Sequence, residues 1–379
     1  MKNNHFDNIA VMGCLPRMPE NFPLEHSENS GNMVHASAPL LMFPNSVHSS
    51  DPHIRLAGER SFRPFVNNTS SHLIVTMANT LVIGGTDGNK YARFQRALEQ
   101  YEKPIVVFGL GVQSKDYDLE NASLPDEAIE LLRFLSSRAK LLGVRGEYTK
   151  KVVEKLTGVS NVFVTGCPSL YSRPEMLKSL ELNTNLRSRE GRPSVNVTNL
   201  NKESERRLLS QGISEKQFQV EPVSAPFYKA HSDILRGASR PEIPNHLLRI
   251  SRDSDGKISH EDLIEHLRSY FRLFRDTETW KIFNSEHVSY TYGTRFHVNM
   301  QSILSGVPAL WLTHDSRTRE LVEFADLPNL DLDLASKMSS DEISNFIDYA
   351  PFFKKLPDLF DRFNFYLTEN SLPPVKHSF

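Results

Sequence analysis

At 379 residues and 43.2 kDa the chain is long enough for two domains at ~150 residues each, and for a sizeable buried core. Its 44 Lys and Arg against 46 Asp and Glu leave a formal charge of −2 and a sequence pI near 6.7, which argues against sequence-independent nucleic-acid binding, a task for basic surfaces. Mean hydropathy is −0.40, and no apolar run reaches the ~18 residues of a transmembrane helix, so a helical membrane protein is excluded. The start, Met1–Asp7, carries no apolar core of a secretory signal, and a cytoplasmic protein is expected. Cys14 and Cys167 are too few for a disulfide framework or an all-cysteine zinc site and read as two buried free thiols.

Along the chain, Ile9–Met12 is the first candidate strand. From Leu81 to Thr165 short apolar runs alternate with longer segments of helical period, the pattern of a parallel sheet with crossover helices. Strands are expected at Thr80–Gly84, Pro104–Gly109, Lys140–Arg145 and Asn161–Thr165, and helices at Lys90–Glu99, Asp126–Ala139 and Glu147–Leu156. The polar stretch 183–193 reads as a linker after an N-terminal Rossmann-like domain over 1–182. A second alternation follows over 194–335. Its strands are Ser194–Val197, Gln217–Val220, Trp280–Phe283, His287–Tyr290 and Ala309–Leu312; its helices are Lys202–Gln211, Glu261–Phe271, Val298–Ser305 and Arg317–Phe324. A helical tail over 336–379 carries Phe-rich apolar stripes expected to pack on the first domain, with Pro351 and Pro357 expected to divide it. The fold class is therefore α/β: two facing Rossmann-like domains, with ligands at the strands' carboxyl ends and at the domain junction.

Glycine turns close three of the N-terminal strands: Gly84-Gly85-Thr86-Asp87-Gly88, Gly109-Leu110-Gly111, and Arg145-Gly146-Glu147. None has nucleotide-fingerprint spacing, and each alone is equally a tight βα turn that needs positive φ. Their coincidence on one sheet edge points to backbone amides that hold an anion. The sharpest segment is Tyr292-Gly293-Thr294-Arg295-Phe296-His297, where a strand running into a helix puts Arg295 and His297 beside the helix N-terminus. Arg supplies a fork for an oxyanion, and His exchanges protons near neutral pH. Three near-misses are declined. His260 and His266 are six apart, on different helix faces; the calcium-like loop from Ser251 has Ser251 and Asp262 where its first and last carboxylate ligands belong; and Asp331-Leu332-Asp333 reads as structural.

Taken together, these segments resemble the polysaccharide pyruvyl transferases. The resemblance runs through Ser30-Gly31-Asn32, Leu81–Gly85, Gly109–Gln113, Val144–Thr149 and Val164–Leu170, is strongest from Gly293 to Glu320, and covers most of Asn32–Phe324 in order. The chain departs from the family pattern at Cys167, where Asp is frequent, and at Met33-Val34-His35, where Gly-Asp is usual. The insertion Ala238–Ile258 has no evident counterpart. The resemblance implies a GT-B-like fold, phosphoenolpyruvate as donor, and a sugar or lipid-linked oligosaccharide acceptor in surface polysaccharide synthesis. It places the protein in the cytoplasm, at the inner membrane face where the acceptor is lipid-linked. It requires neither metal nor redox cofactor.

Phosphoenolpyruvate carries a carboxylate and a phosphate, so Arg145 and Arg295 from opposing domains are expected to clamp it, with Gly85, Gly293, Thr294 and Arg317 as further donor contacts. His297 is the expected general acid or phosphate stabiliser, and Asp87 a candidate base; Arg319 is read with Arg317 as a phosphate or surface residue. The acceptor is expected to meet loops such as Phe218–Arg236. Two alternatives stand beside this reading: a GT-B glycosyltransferase using a nucleotide sugar, and a non-catalytic sugar-binding protein of the same fold.

Overall fold

The computed structural model describes residues 8–20, 22, 29–56, 62–114, 117–182, 190–220, 225–238, 241–253 and 258–379. The first domain is built on β1 (Asn8–Gly13), β2 (Ser46–His48), β3 (Ser70–Thr76) and β5 (Ile105–Phe108), ordered β2-β1-β3-β5 and wholly parallel. A bridge between Leu110 and Val144 extends this sheet to a parallel pair, β7 (Leu142–Val144) and β8 (Val162–Val164). Two short strands, β4 (Leu81–Val82) and β6 (Val112–Gln113), pair above its carboxyl edge. Because the chain winds outward in both directions from β1 and β3, their carboxyl ends form a switch point where the crossovers diverge.

The second sheet consists of β9 (Arg192–Asn196), β10 (Phe218–Val220), β11 (Phe271–Arg272), β12 (Val288–Gly293), β13 (Ala309–Thr313) and β14 (Asn329–Asp331). Its order, β11-β10-β9-β12-β13-β14, is all parallel and is the doubly wound 3-2-1-4-5-6 arrangement, with its switch point between β9 and β12. Helices cover both faces of its centre, so β12 and β13 are buried along their length, and Ala309–Leu312 of β13 is a continuous apolar run. The two Rossmann-like domains face each other across a cleft, the GT-B-like arrangement expected from the sequence.

The domains share a core. One apolar cluster includes Ile9, Val11 and Phe108 of the first domain with Val298, Met300 and Trp311 of the second. Buried polar bonds also cross between them. Glu320, on the helix Ser316–Ala325, accepts from the Thr149 amide (2.7 Å) and the Thr149 hydroxyl (2.9 Å) at the start of the helix Glu147–Thr157, and Ser316 Oγ donates to the Ser114 carbonyl (2.7 Å).

Several expectations need correction. Trp280–Phe283 is not a strand but part of the helix Thr277–His287, which Asp276 caps by accepting from the Thr279 amide (2.8 Å). Pro357 does not divide the tail. Ala350–Glu369 is one helix, opened by Pro351 in its first turn, and burial of Phe352, Leu356, Phe360, Phe363 and Leu367 outweighs the hydrogen bond lost at Pro357. That helix returns to the first domain: Phe363 stacks on Tyr171 with ring centroids 4.1 Å apart, and the Tyr366 hydroxyl donates to the Val107 carbonyl (2.7 Å). β3, the central strand of the first sheet, was absent from the sequence reading. Cys167 is buried, but Cys14 is partly exposed, and neither is in a disulfide. In the insertion, Asn245–Asp253 is helical, Ser251 Oγ donates to the Ile258 carbonyl (2.5 Å) and Asp262 forms a capping box with Ser259; residues 254–257 of the calcium-like loop lie outside those described. No helix among the described residues is long and apolar enough to cross a membrane.

Candidate functional site

At the switch point of the second sheet a buried amide network shapes the backbone. Asn196, ending β9, donates through Nδ2 to Asn299 Oδ1 (2.7 Å) and the Tyr292 carbonyl (3.2 Å), and its Oδ1 accepts from the Arg295 amide (2.7 Å). Gly293 lies beside it at φ +149°, where a Cβ would sit 2.0 Å from the Asn196 carbonyl oxygen, so glycine is required by this close approach. Glu205 receives the Asn199 amide (2.9 Å) and the Thr294 hydroxyl (3.0 Å), fixing the two facing turns. The strand-to-helix turn thus presents Arg295 and His297 toward the first domain.

Opposite, Arg145 follows β7 and enters the same cavity. Its Nη1 donates to Asn79 Oδ1 (2.6 Å), while Nε and Nη2 are buried with no hydrogen-bond partner. The residue is only 3% exposed. Burial lowers its pKa, opposed by the nearby Cys167, Cys14 and Glu320, with Arg317 acting in the same sense as burial. A guanidinium taken out of water with two unmatched donors is costly unless an anion meets it.

The cavity they line, about 100 Å³, lies between the domains and is walled by Asn32, Asn79, Arg145, Thr294, Arg295, His297, His314 and Arg317 among others. Arg317 is paired with Asp315 through Nε (2.7 Å) and Nη2 (2.5 Å). Burial pushes the Asp315 carboxyl up, but His314, Arg317 and the Thr318 amide together hold it below its usual range. The His297 pKa is lowered to about 3 by burial and by Arg145, so the free protein holds this imidazole neutral at physiological pH. A larger hollow of about 740 Å³ adjoins at the first sheet's switch point; it is lined by Cys14, Lys90, Tyr91, Phe94 and Gln113 and shares Asn29, Asn32, Asn79 and Arg317 with the first.

Of the residues singled out from the sequence, Arg145, Thr294, Arg295, His297 and Arg317 meet at this cavity. Gly85, Asp87 and Gly293 are not among its lining residues. Asp87 is exposed and accepts from the Asn89 amide (3.1 Å) in a local turn, and Gly85 closes a turn on the Val82 carbonyl (3.1 Å). Gly293 serves the backbone approach described above. Arg319 lines a separate groove with Lys202 and Arg207, and the helix Ala225–Leu235, within the segment expected to meet the acceptor, is not part of either hollow. Sequence reasoning missed Asn79, Thr198 and His314, although each follows a strand's carboxyl end and that position was the available signal.

A second cluster abuts the cavity. His35, from the helix Asn32–Ala36, Cys167, just after β8, and His297 bring one ligand atom each within 4.8 Å of one another. Cys167 Sγ lies 3.5 Å from His297 Nε2, 3.9 Å from His35 Nδ1 and 3.0 Å from Ser169 Oγ. Burial, then Arg145 and His297, hold the His35 pKa well below its usual value. Gly109, at φ +73°, makes room for this ring: a Cβ there would lie 2.1 Å from His35 Cε1.

Residues 42–316 match the family described as polysaccharide pyruvyl transferase. No curated protein matches the chain. Among solved structures, a UDP-GlcNAc 2-epimerase from Methanocaldococcus jannaschii is similar at 10% identity and TM-score 0.43, covering 93% of this chain and 99% of that one. The O. sativa protein Os79 is similar at 11% identity and TM-score 0.34, over 95% of each chain. The wall teichoic acid polymerase TagF is similar at 9% identity and TM-score 0.35, over 96% of this chain and 87% of that one.

Proposed function

The chain belongs to the polysaccharide pyruvyl transferase family, and we propose that it transfers the enolpyruvyl group of phosphoenolpyruvate to two hydroxyls of one sugar, forming a pyruvate ketal and releasing phosphate. The observation that carries this reading is Arg145, whose two unpartnered, buried nitrogens lie on the wall of an interdomain cavity that Arg295 and Arg317 also line. A small polyanion supplies what those donors lack. The cavity's volume of about 100 Å³ is well below the ~300 Å³ at which pockets for drug-sized ligands begin, and suits a three-carbon donor better than a nucleotide sugar.

The reaction balances with groups at hand. A proton added to the donor's methylene makes a methyl group and leaves an electron-poor carbon at C2. One sugar hydroxyl adds to that carbon and gives up its proton; the second displaces phosphate and gives up its own. One of the two released protons replaces the one spent on the methyl, and the other leaves with phosphate. Arg145 and Arg295 hold carboxylate and phosphate from opposite domains, and Arg317 assists the leaving group. His297 is neutral in the free protein; the donor's negative charge offsets the Arg145 charge and pairs with an imidazolium, so His297 takes up a proton and serves as acid once the donor is in place. The adjoining hollow, with the Phe94 ring and the Asn79, Lys90 and Gln113 polar groups, receives the acceptor sugar, which belongs to a surface polysaccharide or its lipid-linked precursor.

Phosphate release from phosphoenolpyruvate, measured across a panel of sugar acceptors with the ketal identified by mass, tests the reading. Arg295→Ala and His297→Ala are each expected to lower turnover by roughly 10²–10⁴. Unchanged turnover in either variant removes that residue from the reaction.

A further inference from the structure

We propose that His35, Cys167 and His297 form a three-ligand site for a borderline-soft divalent cation, zinc being the best fit, which ties the two domains together at the cleft. The three residues lie far apart in the chain, and the fold alone joins them. Tetrahedral zinc, with Zn–S near 2.3 Å and Zn–N near 2.05 Å, sets its sulfur and nitrogen ligands about 3.6 Å apart. Here the two sulfur–nitrogen distances are 3.5 and 3.9 Å. His35 and Cys167 are buried, so they are held together out of water rather than meeting by chance on the surface.

The surroundings have the features of a ligating set. His35 turns Nδ1 toward the Cys167 sulfur (3.9 Å), and Gly109 leaves the room its ring needs. The Ser169 hydroxyl, 3.0 Å from Cys167 Sγ, is placed to donate to a thiolate. Two histidines and one cysteine leave a fourth position open, as in catalytic zinc sites. Arg145 neighbours the cluster, and its charge opposes the ion. His297 is the one ligand that also lines the cavity, and it comes from the second domain while the other two come from the first; an ion on its Nε2 bars it from taking up a proton, so its metal-binding and acid roles are alternative states of the site.

The test uses the full chain and does not depend on the donor or on turnover. Metal content is measured on protein purified without chelator. The apo protein is then titrated with zinc against a chromophoric chelator, and with cobalt(II) by absorption spectroscopy. The expected results are about one zinc equivalent per chain and a cobalt spectrum with a near-ultraviolet thiolate charge-transfer band. Zinc affinity should fall by about 100-fold or more in Cys167→Ser and His35→Ala, beyond the ~10–100-fold typical of losing a mere supporting group, and should be unchanged in Cys14→Ser. Wild-type cobalt protein without the thiolate band overturns the proposal whether or not the variants fold. So does equal zinc affinity in wild type and a folded Cys167→Ser.

Discussion

Replacing Arg145 with methionine separates the cost of the free site from its use. In the free protein the change removes one charge-assisted hydrogen bond, Nη1 to Asn79 Oδ1 at 2.6 Å, worth about 1.5–3 kcal/mol. It also removes two buried donors, Nε and Nη2, that have no partner and cost about 1–3 kcal/mol each. The side chain's stem volume is kept, and the Glu320 carboxylate retains its two bonds from Thr149. The relief of about 2–6 kcal/mol outweighs a loss of about 1.5–3 kcal/mol over most of that range, and Arg145→Met is expected to be about 2 kcal/mol more stable than wild type, within limits of about 1 less and about 4 more. Anion binding moves the other way. Two charge-assisted bonds at about 1.5–3 kcal/mol each are lost, which raises Kd for phosphoenolpyruvate by roughly 10²–10⁴. Urea unfolding gives the first quantity and isothermal titration calorimetry the second. A variant that is clearly destabilised yet binds phosphoenolpyruvate with wild-type affinity would refute the argument, because Arg145 would then be a structural residue with its donors satisfied.

Gly293→Ala should lose about 3 kcal/mol or more, since its Cβ would meet the Asn196 carbonyl at 2.0 Å in a left-handed backbone; urea unfolding checks this, and a change within 0.5 kcal/mol contradicts it. Glu320→Ala leaves the Thr149 amide and hydroxyl without their acceptors across the interface and should cost about 2–4 kcal/mol, with Glu320→Gln costing less, by the same assay. Acid should destabilise the fold earlier than carboxylate protonation alone predicts. Burial lowers the pKa of His48 to about 4 and that of His266 to about 3, with Arg272 assisting at His266. The unfolded chain takes up these protons near pH 6.5 and the folded chain does not, so their stabilising effect is complete above that pH and is lost as pH falls from 6.5 toward 4 and 3. The two histidines together forfeit about 4 kcal/mol at pH 5, and His35 acts in the same direction. Equal unfolding free energies at about pH 7.5 and pH 5 would contradict this.

The parallel strands β5, β7 and β8 were legible as β-branched, apolar runs closed by a glycine turn, and β13 as the apolar run Ala309–Leu312, while β12 runs on to Gly293, beyond the expected His287–Tyr290. β3 was missed because it opens Ser70-Ser71-His72, polar residues of which Ser70 and His72 are buried by the fold rather than marked by the pattern. Trp280-Lys281-Ile282-Phe283 misled because a four-residue alternation cannot distinguish a strand from one helical turn, and the Asp276 cap was the better signal. Pro357 misled for the opposite reason: local chemistry said break, and the row of buried apolar side chains from Phe352 to Leu367 overrode it. For the site, Arg145, Arg295 and His297 were readable since each follows a strand's carboxyl end. Asp87 shares that position, yet β4 sits above the sheet rather than in it, so its turn faces solvent. The His35–Cys167–His297 cluster was unreadable, because its members come from two domains.

The proposed function stands or falls with the interdomain cavity as a phosphoenolpyruvate site built on Arg145 and Arg295. A thermal-shift titration of the purified protein with phosphoenolpyruvate, beside a panel of nucleotide sugars and repeated on Arg295→Ala, tests it most directly. At ~100 times its dissociation constant a ligand adds about 2.7 kcal/mol of apparent stability, enough to move the transition visibly. The account predicts a shift with phosphoenolpyruvate that Arg295→Ala abolishes, and no shift with the nucleotide sugars. Stabilisation by a nucleotide sugar with none by phosphoenolpyruvate would contradict it.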